Sequence, residues 1–348
     1  MNQQIPATCF IFFIIFSVMT FAQNAGKMII TGFKGTDPSD PQIIRLKERI
    51  DNHQLGGVIL FNRNIKTKHQ LQSLIKFLTK DTPIFVAIDH EGGLVNRLTH
   101  SSFKLKTPSP QTLCNSSLQV QSDHAIIMSK AMVDLGINMN FGGVVDISPL
   151  ISPSSICNHD RCYGSKSSKV SRCAAVVSKE HSKHQLLFAL KHFPGHGSTE
   201  TDSHYDLPDI TKTHSDYELT PYFQLNDPLT KYQMVMIGHL MHRGIDPKLP
   251  ASLSKFHIDI LIHQVNFDGF IVTDDLNMLA LKSISTDKLT LASLAAEAGN
   301  HLLLFEYLSF NQIDEISSGL NTKAIHNPQL NRHINNSIQK IDRFLNDS

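Results

Sequence analysis

The chain has 348 residues, 41% hydrophobic and 18% charged, an ordinary globular composition with ample length for a large core. Its 32 basic and 31 acidic residues give a formal charge of +1. That balance, with no basic stripe, argues against a nucleic-acid partner. The 19 histidines raise the question of a metal, but several, His69 and His184 among them, fall on predicted helix surfaces.

Residues 7–22 are almost continuously apolar and carry no charge. The run has the length of a signal-peptide core and is short for a spanning helix. Thr20-Phe21-Ala22 offers small residues for cleavage near Gln23. The expectation is therefore a signal peptide over residues 1–22, a periplasmic or secreted product, and no stable membrane insertion after cleavage. The segment before the run lacks Lys and Arg, which keeps an uncleaved anchor as the alternative. Beyond the cut lie Cys114, Cys157, Cys162 and Cys173. An exported chain can oxidise them, and three fully paired connectivities are open.

From there, short apolar runs alternate with amphipathic ones. Strands are predicted over 28–33, 57–61, 83–89, 137–147, 186–192, 234–239, 269–274 and 301–305. They are apolar on both faces, as buried parallel strands are. Asp40-Pro41 reads as a cap followed by proline at the first helical position, with Ile43, Ile44, Leu46 and Ile50 at helical spacing. Further helices are predicted over 68–78, 123–135, 167–184, 254–265 and 289–298. Eight strands alternating with helices make an α/β chain with a single (β/α)8 barrel, here one catalytic domain over residues 26–348. An open doubly wound sheet is the rival, without its usual G-x-G-x-x-G after the first strand.

In such a barrel, chemistry sits at the C-terminal ends of the strands. Four predicted strands end in polar groups: Asp89-His90-Glu91, Lys191-His192, His239, and Asp274-Asp275. Buried Asp and Lys are rare unless paired or used, so the set points to function. The segment 191–208, KHFPGHGSTETDSHYDLP, is the richest. Its glycines permit a sharp loop, and Asp202 and His204 stand one serine apart. A carboxylate beside an imidazole orients the ring and raises its basicity. A local turn with an exposed histidine is the plainer account of D-S-H alone.

Taken together, IDHEGG (88–93), DRCYG (160–164), KHFPGHG (191–197), DSH (202–204), MIGHLMH (236–242), PASLS (250–254) and IVTDDLNM (271–278) resemble glycoside hydrolase family 3. The closer likeness is to its bacterial β-N-acetylglucosaminidase branch, over about residues 28–310. The resemblance implies a retaining hydrolysis of terminal β-linked GlcNAc in peptidoglycan fragments or chito-oligosaccharides. Asp274 matches the family nucleophile and His204 the acid/base, with Asp202 its partner. Asp89, Arg97, Arg161, Lys191 and His192 match sugar-binding positions. His239 matches less firmly, and Met278 offers an apolar wall. Neither metal nor organic cofactor is implied.

Two departures stand out. Leu94 replaces an arginine of the family pattern D-x-E-G-G-R-V-x-R, and two cysteines lie near Arg161. The acid/base of many glucoside-cleaving relatives comes from a second domain, for which this chain is expected to be too short. Three alternatives remain open at this stage. One is a GlcNAc phosphorylase on the same site. Another is a metal-dependent barrel hydrolase using His192, His196, His204 and Asp274. The third is a non-catalytic sugar-binding barrel.

Overall fold

The structure is a computed structural model and describes residues 24–347, apart from residues 100, 104, 150–153 and 204. The predicted signal peptide over residues 1–22 and the predicted acid/base His204 lie outside the described residues.

Eight strands form one parallel sheet: β1 (Ile29–Gly32), β2 (Gly57–Leu60), β3 (Phe85–Ile88), β4 (Met139–Val144), β5 (Leu187–Phe193), β6 (Gln233–Ile237), β7 (Phe270–Thr273) and β8 (Leu303–Phe305). Every strand residue is buried. Their order is β7-β6-β5-β4-β3-β2-β1-β8. A parallel bridge between Val272 and Leu302, with the Leu276 amide donating to the Leu304 carbonyl at 2.9 Å, joins β7 to β8 and closes the barrel. All eight predicted strands are present, each trimmed by one to five residues in total length or shifted by one at an end.

The helices on the outside are α1 (Pro41–Asp51), α2 (Lys68–Thr79), α3 (Pro110–Cys114), α4 (Leu118–Val133), α5 (Ser167–Lys183), α6 (Thr220–Leu225), α7 (Lys255–Asp259), α8 (Lys288–Ala298), α9 (Phe310–His326) and α10 (Pro328–Asn346). Their starts follow capping chemistry. Asp40 accepts from the Gln42 amide at 2.8 Å, and Asp287 from the Thr290 amide at 2.8 Å. The helix predicted from residue 123 begins at Leu118, because Ser117 caps it through the Val120 amide. The helix predicted over 254–265 changes pitch, with α7 passing into a π turn at Ile260–Gln264.

One end of the barrel is plugged. Phe85 and Phe270 pack edge-on at its N-terminal end, and Phe344 of α10 lies 5.8 and 5.5 Å from their ring centres. A buried phenylalanine contributes about 1.5–3 kcal/mol by burial. The bottom is thus shut with carbon, and the open mouth lies where the strands end. Two disulfides are present. Cys114–Cys173 joins α3 to α5, and Cys157–Cys162 closes a short ring in the loop between β4 and α5.

Candidate active site

At the barrel mouth is a cavity of about 380 Å³, inside the roughly 300–1,000 Å³ range of small-ligand sites. Asp89, Arg97, Lys191, Asp274, Asp275 and Met278 are on its walls.

The wall from β3 and β5 is an ion cluster. Lys191 Nζ lies 2.8 Å from Asp89 Oδ1 and 2.7 Å from Glu91 Oε1. Arg161 grips Glu91 with two nitrogens, Nε and one terminal nitrogen, each at 2.8 Å. Arg97 stands 3.6 Å from Asp89. Burial pushes the Glu91 carboxyl up, but Lys191 and Arg161 outweigh it and bring it down to about 2. Burial likewise works against the Lys191 ammonium, and Asp89 and Glu91 overcome it, so its pKa rises. Glu91 stays ionised among these cations, because removing any one partner leaves a buried charge without compensation.

Beside this cluster, Asp146 organises the turn after β5. Its carboxylate lies 2.7 Å from His192 Nδ1, a contact that orients the imidazole and puts a proton on Nδ1. It also accepts the amides of His192 at 3.2 Å and His196 at 2.8 Å. His196 Nε2 in turn lies 3.2 Å from the buried Ser203 hydroxyl, which ties down the loop beyond Gly197. Burial, aided by His192, depresses the His196 pKa to about 4. At the root of that loop, burial and then Asp146 push Glu218 up to about 8, against a hydrogen bond from Ser198 Oγ at 3.2 Å.

The β7 wall carries Asp274 and Asp275. The Asp275 amide donates to Asp274 Oδ1 at 2.8 Å. Asp275 Oδ1 accepts the amides of Asn277 at 2.9 Å and Glu306 at 2.7 Å. Burial nevertheless lifts the Asp275 carboxyl to about 6.

Of the residues singled out in the sequence, Asp89, Arg97, Lys191 and Asp274 meet on this one cavity. Arg161 and His192 stand directly behind Glu91 and Asp146. Asp202 is half-buried in the β5 loop, where its carbonyl accepts the Tyr205 amide at 3.0 Å; it is not on the cavity wall. His239 is fully buried, with Nδ1 2.7 Å from Ser252 Oγ and Nε2 2.8 Å from the Asp275 carbonyl. Its place is therefore behind the β7 wall. Sequence reasoning missed Glu91 as a site residue and missed Asp146 altogether. Asp146 ends an apolar run, FGGVVDI, the same signal that marked the other strand ends.

No group of three or more His, Cys, Asp or Glu with metal-holding geometry occurs among the described residues. A closed (β/α)8 barrel with a charged, preorganised pocket at the C-terminal ends of its strands is the architecture of a barrel enzyme. The glycosyl hydrolase family 3 N-terminal domain model matches residues 39–343. A β-hexosaminidase from Bordetella avium is 30% identical over 271 residues, covering 74% of this chain and 75% of the relative. A solved family 3 β-N-acetylglucosaminidase from Paenibacillus sp. superposes with a TM-score of 0.80 at 26% identity over 95% of this chain, which spans 64% of that structure's length. A β-N-acetylhexosaminidase structure from Beutenbergia cavernae, at 21% identity and TM-score 0.81, covers 92% of this chain and 96% of its own, a likeness of fold. The chain belongs to glycosyl hydrolase family 3.

Proposed function

We propose that this glycoside hydrolase is a β-N-acetylhexosaminidase. It releases terminal β-linked GlcNAc, with retention, from peptidoglycan fragments or chito-oligosaccharides. The observation that carries the reading is the placement of Asp274 on the same small cavity as the Asp89–Lys191–Arg97 cluster. A sugar held there by its hydroxyls would present its anomeric carbon to a carboxylate on the β7 wall. Lys191 contacts Asp89 and Glu91, and an ammonium has a third N–H that in this reading serves the ligand. Asp89 accepts ring hydroxyls, and pairing these polar groups favours a polyol over an apolar ligand.

In this reading Asp274 attacks the anomeric carbon while His204, steadied by Asp202, gives its proton to the departing oxygen. A water then enters, His204 removes its proton, and the glycosyl–Asp274 bond breaks. The apolar run over residues 7–22 extends the proposal to an exported enzyme.

The test is leaving-group dependence. A sugar alkoxide needs a proton in the transition state, whereas an acidic nitrophenolate barely does. General acid catalysis typically contributes about 100- to 10,000-fold. His204→Ala should lose kcat/KM by that order on a β-GlcNAc disaccharide and far less on a nitrophenyl β-GlcNAc. Equal losses on both substrates would remove His204 from the role and make His196 or Glu200 the next to test.

A further inference from the structure

The ring closed by Cys157 and Cys162 lies in the loop between β4 and α5, and its position differs from that of an ordinary stabilising disulfide. It spans five positions in sequence, and the residue just before its second sulfur is Arg161, which clamps Glu91. Inside it, His159 and Asp160 both take the left-handed backbone, each at φ 60°. That conformation is uncommon for non-glycine residues, although Asp and His adopt it more readily than most. Tyr163, next to the ring, is buried in the main core. Val144, Ile156 and Cys162 form a cluster separate from the main core, with Cys157 packed against it.

The same loop also grips the β5 loop. Ser155 donates its amide to the Thr199 carbonyl at 3.0 Å, and its hydroxyl to the carbonyls of Thr199 at 3.2 Å and Thr201 at 3.0 Å. Ser154 Oγ accepts the Cys157 amide at 3.1 Å, which joins this grip to the ring. Thr201 immediately precedes Asp202.

We propose that the Cys157–Cys162 disulfide is a positioning element of the active site, fixing Arg161 against Glu91 on one side and the Thr199–Thr201 backbone on the other. Its reduction by a thiol therefore weakens substrate binding without unfolding the barrel. In that step a dithiol gives two electrons and two protons to the sulfurs, the S–S bond breaks, and the dithiol leaves as its own cyclic disulfide. The Cys114–Cys173 bond, buried between α3 and α5, does not enclose Arg161 and serves as the built-in control.

The assignment of a sugar pocket rests on the function proposed above, so the experiment has one arm independent of it. In Cys157→Ser/Cys162→Ser, amide hydrogen exchange at Ser155 and over residues 199–203 should quicken. KM for nitrophenyl β-GlcNAc should rise by about tenfold, the scale of one lost charge-assisted contact, with a smaller change in kcat. Cys114→Ser/Cys173→Ser should leave both the exchange and KM within about twofold of wild type while lowering Tm. Where the first variant does not fold, the folded wild type is treated with dithiol, with mass spectrometry confirming thiols at 157 and 162, and the same shifts are expected. Unchanged exchange and unchanged KM in the opened ring would overturn the proposal. A wild type inert toward every β-GlcNAc substrate would sink the hexosaminidase reading instead, and the exchange arm would still decide the coupling.

Discussion

The two walls of the cavity handle charge in opposite ways. On the β3–β5 wall, Asp89 and Glu91 are locked to Lys191, Arg97 and Arg161, and Glu91 stays ionised down to about pH 2. On the β7 wall, two successive carboxylates share a cramped site, and burial raises Asp275 to about 6. An ion cluster of this kind is stiff and suits holding a ligand in register, with each carboxylate paired to a cation. The β7 wall divides its labour instead. Asp275 gives its oxygen to two backbone amides. In the proposed function, Asp274 is the carboxylate that forms the bond to the sugar.

The sharpest way to break this contrast is to remove the two β7 carboxylates separately. Asp274→Asn should lower kcat by on the order of 10⁴-fold, the scale seen when one member of a covalent catalytic unit is removed. Asp275→Asn keeps an oxygen for the Asn277 and Glu306 amides and should cost less than about tenfold, because the loss is one of charge and not of a hydrogen-bonded turn. A fluorinated β-GlcNAc that slows breakdown of the intermediate should leave its sugar on Asp274 when peptides are mapped. A label on Asp275 would reverse the division of labour.

The opposite wall is tested by stability. Glu91→Gln leaves Lys191 and Arg161 partly uncompensated in a buried site, and breaking such a pair costs about 3–5 kcal/mol. The pH dependence follows from the same cluster. The folded carboxyl lies near 2 and the unfolded one near the ordinary 4.5. Glu91 therefore contributes stability that is full above about 4.5 and is lost as pH falls toward 2. Urea unfolding should show the gap between wild type and variant narrowing over that window. A gap independent of pH would mean that Glu91 acts by packing and not by charge.

The legible parts of this molecule were those governed by local rules. All eight strands were marked by their apolar runs, and the barrel by their alternation with helices. Strand ends with stranded charge gave Asp89, Lys191 and Asp274, which meet on one cavity. What stayed hidden depends on contacts between distant segments. Glu91 and Arg161 are 70 residues apart, and nothing local pairs them. The cysteine pairing needed the loop after β4 to be folded before it could be read. Histidine was misleading in bulk. His90, His181, His192, His196, His239 and His257 are buried, and several serve as internal hydrogen-bond partners, such as His181 between Ser129 and Asn140. Counting them said little, while locating each one said much.

A finer contrast lies below the mouth, at Glu218, whose carboxyl sits under the root of the β5 loop with Ser198 at 3.2 Å and His214 at 3.9 Å. Glu91 is a carboxyl depressed by cations; Glu218 is one raised to about 8, first by burial and then by Asp146. The sign of its effect is therefore reversed. Below the ordinary 4.5 both folded and unfolded chains hold the proton, and nothing is lost. As pH climbs from there to about 8, the unfolded chain releases its proton while the folded one keeps it, and stability falls; above 8 the curve flattens. Glu218→Gln mimics the protonated acid and carries no such slope. Relative to wild type, the variant should gain stability between pH 5 and pH 8 by up to roughly 4 kcal/mol, an upper bound set by about 1.36 kcal/mol per pH unit. Thermal unfolding at the two pH values measures the gain directly. A difference that stays constant, or shrinks as pH rises, would show that Glu218 is ionised in the folded chain and that burial does not govern it.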